Sequence, residues 1–496
     1  MEATGGISVV NSNLAYQDIE VETPQIKDDP VKWCSVSLSD VIARGKRLEA
    51  SVFDVEAIKA YEILTMGKYP AVHLISEQGL AETAYYGGRL KRHYINKSLN
   101  NSIGFLGSSE MLDCQPRPVK YMVNDDNAKD VRVEKGTILI SRSGTIGNVT
   151  YVGETLSNYL VSEHAIRIKC KAFPGYVYAF LKSSIGKKIV CSTQFGAVIQ
   201  EIEPEHLASI PIPNAPTDIK QRINNLIIDS YRLRDESNEL IDNATQLLID
   251  ELQLPDISAF EVDDFKKNAP VETYCVKLSA LNGRVDASYH VPIVNAITAH
   301  LKKYADEVTT VGDNRISSDI ILPGRFKRVY VEEGYGRVFI GGKQLWELDP
   351  TNKKYLSNSK HNKRIIKELE ISENTTLITR SGTIGKVTMV PKHWEHWVTS
   401  EHIIRVVPSS SEIAGYLNVF LASDYGNALI KRFTYGSVVD EIDANHVSQI
   451  AFPLLKNKTV QKAINDLALQ ANQKRYEAYK LEQQALAVMD NEVIFA

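Results

Sequence analysis

Two tripeptides in this chain hold the residue types of a nucleophilic hydrolase, Ser162-Glu163-His164 and Ser400-Glu401-His402. A hydroxyl, a carboxylate and an imidazole act as a triad only when they converge on one atom. Each tripeptide lies in a run of alternating apolar residues, YLVSEHAIRIKC or HWVTSEHIIRV, which predicts a strand whose successive side chains face opposite ways. Packing or hydrogen bonding is the role expected for His164 and His402. A second lure is SGTIGKV, Ser381 to Val387, which has the glycines and lysine of a phosphate loop at the wrong spacing. Valine occupies the place of the magnesium-binding hydroxyl, and the first copy has Asn148 in place of the lysine. No GxGxxG follows a predicted strand, and neither HExxH nor an Asn-Pro-Pro-aromatic tetrapeptide occurs. The 5 cysteines, Cys34, Cys114, Cys170, Cys191 and Cys275, form no CxxC pair. We expect no catalytic residue, no cofactor and no metal.

The elements around these residues come twice. GTILISRSGTIGNVTYV at residues 136–152 recurs as NTTLITRSGTIGKVTMV at 374–390, with 12 of 17 positions identical. NYLVSEHAIRI from Asn158 answers HWVTSEHIIRV from His396, and QFGAVIQEIEPEHLASIPIP from Gln194 answers TYGSVVDEIDANHVSQIAFP from Thr434. RLEASVFD from Arg47 answers RVDASYH from Arg284, and GRLKRHYI from Gly88 answers GRFKRVYV from Gly324. The spacing stays at 236 to 240 residues, so one unit is written twice. TILI and NVTYV read as strands joined by a glycine-bearing turn, and FPGYVYAFLKSSIGKKIV reads as helix with Tyr176, Phe180, Leu181 and Ile185 on one side.

After each unit the pattern changes to a long helix. From Thr217 a three-four rhythm runs through Ile219, Ile223, Leu226, Leu233, Leu240, Ala244 and Leu247. From Thr459 it runs through Val460, Ile464, Leu467, Ala471, Ala478, Leu481 and Ala485. A lone helix with one apolar stripe needs a partner, and the other copy supplies one. The expected architecture is α+β: two repeated mixed α/β domains separated by long antiparallel coiled-coil-like helices that hold them apart. The expected boundaries are an arm at 1–34, domains at 35–215 and 255–456, and helices at 216–254 and 457–496.

The chain of 496 residues is 43% hydrophobic and has a net charge of -4, which makes no case for nucleic acid from bulk charge. No apolar run reaches the length of a membrane span, and the N-terminal stretch has no basic or apolar leader, so a cytoplasmic protein with no membrane partner is expected.

The RSGTIG turn, the later GxVxxEI segment ending in IPIP, the long helix after it, and the doubling of the whole resemble the specificity subunit of type I restriction-modification enzymes. The resemblance spans about residues 35 to 490, and departs from the pattern in the N-terminal arm and in IAFP for the second IPIP. It implies a non-catalytic subunit. Each domain would read half of a bipartite double-stranded DNA site, and the helices would dock methyltransferase (modification) subunits, expected as two, that methylate adenine. A restriction or motor subunit, or another phage-defence effector, is a further partner it leaves open.

Base edges are read by Arg, Lys, Asn, Gln, Ser or Thr on exposed loops, while much of the hydrogen bonding goes to phosphates. The DNA-binding candidates at the basic clusters are Arg89, Lys91, Arg92 and Tyr94 with Arg325, Lys327, Arg328 and Tyr330. A solvated edge strand would look the same. In the glycine turns they are Arg142, Ser143 and Thr145 with Arg380, Ser381 and Thr383, where a structural pair of Arg142 with Glu163, or Arg380 with Glu401, is the alternative. Base reading should fall where the copies diverge, which singles out Gln194, Lys343, Gln344 and Tyr435, against the plain reading of a variable surface loop. Two other classes stay open: a stand-alone bivalent DNA-binding protein, and a protein-binding scaffold with no salt-dependent DNA affinity.

Overall fold

The computed structural model describes residues 35–496 except 44–45, 47–49, 89–90, 98, 197–199, 261–273, 282 and 437–438. The N-terminal arm, Cys34, Arg47 and Arg89 lie outside the described residues.

Each repeat is built on three small sheets. In the first, Ala71–His73 pairs with Pro211–Pro213, closing the unit by joining its start to its end. A four-stranded sheet orders Ala81–Tyr85, Ala165–Cys170, Ile138–Ser141 and Val149–Tyr151. Another orders Tyr94–Ile95, Lys120–Val123, Ser102–Leu106 and Leu160–Val161, the last pair parallel. The second repeat has the same three sheets in the same strand orders. One expectation fails here: the SEH tripeptides are not strand residues. Leu160–Val161 belongs to one sheet and Ala165–Cys170 to the other, and the chain turns between them at Ser162 to His164. The expected single helix in FPGYVYAFLKSSIGKKIV is two, Pro174–Lys182 and Ser184–Ser192. Ser183 separates them because its Oγ accepts the Gly186 N–H at 3.0 Å, capping the second helix.

The long helices are Thr217–Glu251 and Lys458–Val488, about 52 and 46 Å at 1.5 Å per residue. The first starts after Pro216, and the second is capped by Asn457, which accepts the Thr459 N–H at 3.1 Å. They pack side by side and antiparallel: Arg222 meets Glu492, Ser230 meets Ala478, and Glu236 meets Lys474 at 2.6 Å. The seam departs from the expected stripe in part. Leu226, Leu233, Leu240 and Leu247 are only half-buried, whereas Ala244, Ala471, Ala478 and Ala485 of the expected stripes are buried, as are Ser230 and Ser237, which lie outside them at seven-residue spacing from Ala244. Small residues let two helix backbones approach closely. The approach is close enough for Ser230 Oγ to donate to the Ala478 carbonyl at 2.7 Å.

Both helices complete both domain cores. Ile223 and Ile227 from the first helix join Ala485 and Met489 from the second chain end in the core of the first domain. Ile241 and Leu248 join Ile464 and Ala468 in the core of the second. Each buried isoleucine, leucine or methionine among them contributes about 1.5–3 kcal/mol. One charged cluster is buried in this apolar frame. Glu482, fully buried, takes Lys182 at 2.8 Å and Arg234 at 2.6 Å, and Tyr178 OH also donates to it. It thereby ties the first domain to both helices. Burial alone would raise its pKa, but the two cations win and hold it at about 2.

The helices do not keep the domains wholly apart. Asp113 and Glu347 lie opposite one another across the domain junction, and Cys114 N–H donates to the Trp346 carbonyl at 2.7 Å. Lys187 reaches Asn352 at 2.8 Å, and Lys97 reaches Asp424 at 3.3 Å. Burial pushes the Asp113 carboxyl up to about 8 and that of Glu347 up to about 7. Lys386 moderates the first, while Glu110 and Glu347 reinforce it; Lys182 and Lys187 moderate the second, while Asp349 reinforces it.

Two outcomes are expected. Removing Glu482 leaves two buried cations uncompensated, so Glu482→Ala should lower stability by about 3–5 kcal/mol, read as a shifted denaturant midpoint. The junction favours neutral carboxyls, so its contribution is fullest below the ordinary carboxylate range near pH 4 and declines as pH rises through 7 to 8. X-ray scattering should show the chain expanding between pH 5 and 9, and Asp113→Asn should flatten that profile.

Candidate nucleic-acid interface

The RSGTIG segment is the turn between strands Ile138–Ser141 and Val149–Tyr151, and its copy joins Thr376–Thr379 to Val387–Met389. Both glycines of each turn are left-handed, with φ of +79° at Gly144 and Gly147, +75° at Gly382 and +84° at Gly385. Nothing lies within 4 Å of the space a Cβ would occupy at Gly144 or Gly382, so the tip of each turn is open backbone.

A short hairpin is pinned beneath each turn. Phe195 and Glu201 exchange backbone hydrogen bonds at 2.9 and 2.8 Å, and Tyr435 and Glu441 do so at 3.0 and 2.7 Å. Arg142 fastens the first hairpin. It is buried, pairs with Glu201 at 2.9 Å and Glu203 at 2.5 Å, and lies over the Tyr86 ring. Arg380 repeats this, pairing with Glu441 and donating from Nε to the Ile442 carbonyl at 3.0 Å. Neither arginine pairs with the acid named as the alternative. Glu163 instead receives Arg92 at 2.7 Å, and Glu401 receives Arg328 at 2.8 Å. Arg92 stands just before strand Tyr94–Ile95, and Glu163 stands in the turn that leads from one four-stranded sheet to the other, 71 positions away.

Each Arg92-type guanidinium also lies over a ring, Arg92 over Phe105 at 5.2 Å and Arg328 over Phe339 at 5.0 Å. Hydrogen bonding to Glu163 raises the Arg92 pKa. Burial works against the Glu163 charge, yet the Arg92 bond leaves its pKa lowered. His164 follows Glu163, and its Nδ1 meets Ser143 Oγ at 3.0 Å; His402 meets Ser381 at 2.8 Å. A serine, a histidine and a glutamate thus do stand in a row. The histidine-to-glutamate distances of 3.9 and 3.8 Å are too long for a hydrogen bond, and the arginines hold the acids, so no proton relay runs through them. The arrangement fixes the tip of the glycine turn to the junction of the two sheets.

The candidates therefore form one connected site per domain, running from Arg92 through Glu163, His164 and Ser143 to Arg142, with Arg328 to Arg380 as its copy. Thr145 and Thr383 are exposed on the turns. Gln194 is half-buried at the hairpin base, and Tyr435 is exposed beside the His446 ring. Lys91 and Lys327 are exposed at the rim, and Arg325 is exposed 3.6 Å from Glu441. Lys343 and Gln344 stand on the Gly342–Gln344 turn and face the first domain across a cleft of about 840 Å³. Arg92, Thr145, His164, Arg328 and Tyr330 line the same cleft. The arginines are thus engaged by carboxylates, while the exposed lysines make no ion pair with a described residue. Two of these lysines were missed. Lys120 lies over Tyr94 and Lys354 over Tyr330, both at 5.2 Å. The paired KYMV and KYLS, once aligned as part of the repeat, mark them.

Residues 92–243, from the arginine of the first cluster well into the first long helix, match the family model described as the type I restriction modification DNA specificity domain. That match covers less than a third of the chain. The second repeat has the same sheets, turn and hairpin as the matched one. Similar solved structures include a type I restriction-modification S subunit from M. genitalium, 15% identical over 86% of this chain and 95% of that one, with a TM-score of 0.34. The HsdS subunit from Thermoanaerobacter tengcongensis is 13% identical over 84% and 98%, with a TM-score of 0.26. A chain from a type I R-M system, in a structure titled for complex assembly and conformational transition, is 12% identical over 86% and 97%, with a TM-score of 0.26. No curated protein matches the chain. Among the described residues, no helix is long and apolar enough to cross a membrane, and no group of acids, histidines and cysteines is arranged to hold a metal.

The specificity-domain turn yields a paired prediction. At Gly382 an alanine meets only left-handed strain, about 1–2 kcal/mol. At Gly385 the added Cβ would also come within 2.8 Å of Asn427 Nδ2. Gly385→Ala should therefore cost more stability than Gly382→Ala, measured as the two denaturant midpoints at unchanged slope.

Proposed function

We propose that this specificity subunit reads a bipartite double-stranded DNA site, one half through each domain, and directs a partner adenine methyltransferase to it. The observation that carries the reading is the duplicated platform of glycine turn and pinned hairpin, set at opposite ends of one antiparallel helix pair. Such a platform offers open backbone and exposed lysines to phosphates while its arginines hold it in shape. The helix pair fixes the distance between half-sites, because both helices enter both cores. Two methyltransferase subunits match the internal two-fold repeat, and a restriction subunit or another defence effector would act through them. A cytoplasmic location agrees with that task.

The domains should act separately. Exchanging residues 36–215 for those of a related specificity subunit should change one half of the methylated motif, as read by long-read methylome sequencing in cells that also hold the methyltransferase. A change in both halves would overturn independence. The pure chain with labelled S-adenosylmethionine and duplex DNA should transfer no methyl group, whereas adding the methyltransferase should restore transfer. Lys120→Ala and Lys354→Ala should each lower the slope of log affinity against log salt for a duplex by about 1. An unchanged slope would remove those lysines from the interface.

A further inference from the structure

The RVDASYH segment that opens the second repeat has so far been given no task. Arg284 grips Asp286 with two hydrogen bonds, Nε to Oδ1 at 2.9 Å and Nη2 to Oδ2 at 2.6 Å. The same Nη2 donates to the Thr434 carbonyl at 3.1 Å, and Ser288 Oγ points at that carbonyl from 3.4 Å. His290 secures the clasp from behind, its Nε2 lying 2.8 Å from the Arg284 carbonyl. Tyr289 is held between two guanidiniums, Arg284 at 4.6 Å and Arg432 at 4.3 Å, and Arg432 Nε donates to the Tyr289 carbonyl at 3.0 Å. Thr434 is the residue immediately before the hairpin that Tyr435 and Glu441 close.

That hairpin is consequently fastened on two sides. Arg380 holds its returning strand through Glu441 and Ile442, and Arg284 holds its entering strand through Thr434. Between the two anchors the chain passes Gly436, at φ of +124°, and leaves Tyr435 and Val439 exposed. A clamp with so many charged and aromatic parts is more than a short surface turn needs for its own stability. It restricts where the exposed Tyr435 and Val439 can point. Charge-assisted bonds are suited to this, being short and directional.

We propose that Arg284 and Asp286 are a positioning pair that sets the Tyr435 to Glu441 hairpin for sequence reading by the second domain. The sequence-reading part rests on the DNA function proposed above; the positioning part does not. Hydrogen exchange by mass spectrometry on the full chain tests the positioning. Arg284→Ala should speed exchange across residues 433–442 at least about tenfold, as loss of a charge-assisted bond implies, while residues 194–202 of the first domain stay unchanged. Unchanged exchange at 433–442 would overturn the pair's role. If Arg284→Ala does not fold, Asp286→Asn, which keeps size and loses charge, should give the same local acceleration. Methylome sequencing with the methyltransferase then tests the reading: one half of the motif should become degenerate. Faster exchange with both halves intact would overturn the link from hairpin to specificity. Absence of any methylated motif with the unaltered chain would instead count against the DNA function, leaving the exchange result to judge the clamp.

Discussion

Everything in this molecule hangs on the contact between two helices that are far apart in sequence. A helix of 35 residues with one buried face has no reason to stand alone, and here neither helix does. Their seam is made of serine and alanine at heptad spacing, so little apolar area is buried in the seam itself. The larger side chains, Ile223, Ile227, Ile241 and Leu248, point instead into the domains. The pair is therefore held together partly by the two domains it carries, and each domain lacks part of its core without both helices. A change at one end of the rod is felt in the packing of a domain and not only in the rod.

The turn-and-hairpin platforms follow the same economy of parts. Arg142 and Arg380 look in the sequence like phosphate contacts, and in the structure they are the pins of a hairpin. Arg142, with two carboxylates and a ring against it, and Arg380, with one carboxylate and a carbonyl, have their charge answered and their geometry set. What each gains is a rigid turn that presents backbone and lysine to solvent. Lys91, Lys120, Lys327 and Lys354 are exposed beside these turns and make no ion pair with a described residue, while Lys120 and Lys354 lie over the rings of Tyr94 and Tyr330.

How much of this could be read from the sequence depended on whether the signal was local or arose from folding. The two units, their order, the glycine turns and the long helices were legible because repetition and periodicity are written along the chain. The acid partners were not. Arg92 meets Glu163 across 71 positions, and no short-range rule links them. The helix seam was legible only in part, since the stripe of apolar residues includes the buried Ala244 but passes over Ser230 and Ser237, small polar residues that an apolar period does not register. The SEH tripeptide was taken as strand because its neighbours alternate; the crossing from one sheet to the other, which breaks it, is visible only in three dimensions. The contact between the domains at Asp113 and Glu347 had no signature at all, because it depends on how the rod holds them.

The repeat is not symmetrical where it matters for assembly. Asn224 and Asn465 both accept a glycine N–H, from Gly175 at 2.9 Å and Gly415 at 2.8 Å, which aligns the two helices residue for residue. In that alignment Arg234 corresponds to Arg475, while Glu482 corresponds to Ile241, Lys182 to Ala422 and Tyr178 to Asn418. The carboxylate that gathers two cations and a phenol in one half has no counterpart in the other. There Arg475 turns to Gln115 at 3.2 Å, and Arg117 inserts to reach the Ala422 carbonyl. If two copies of the first helix paired with each other, Arg234 would face Ile241 and its buried charge would go unanswered, a cost of several kcal/mol. Only the second helix brings the carboxylate. The buried network therefore does for the rod what a single polar residue does in a coiled coil: it selects the partner and the register, and so joins two unlike domains in one chain.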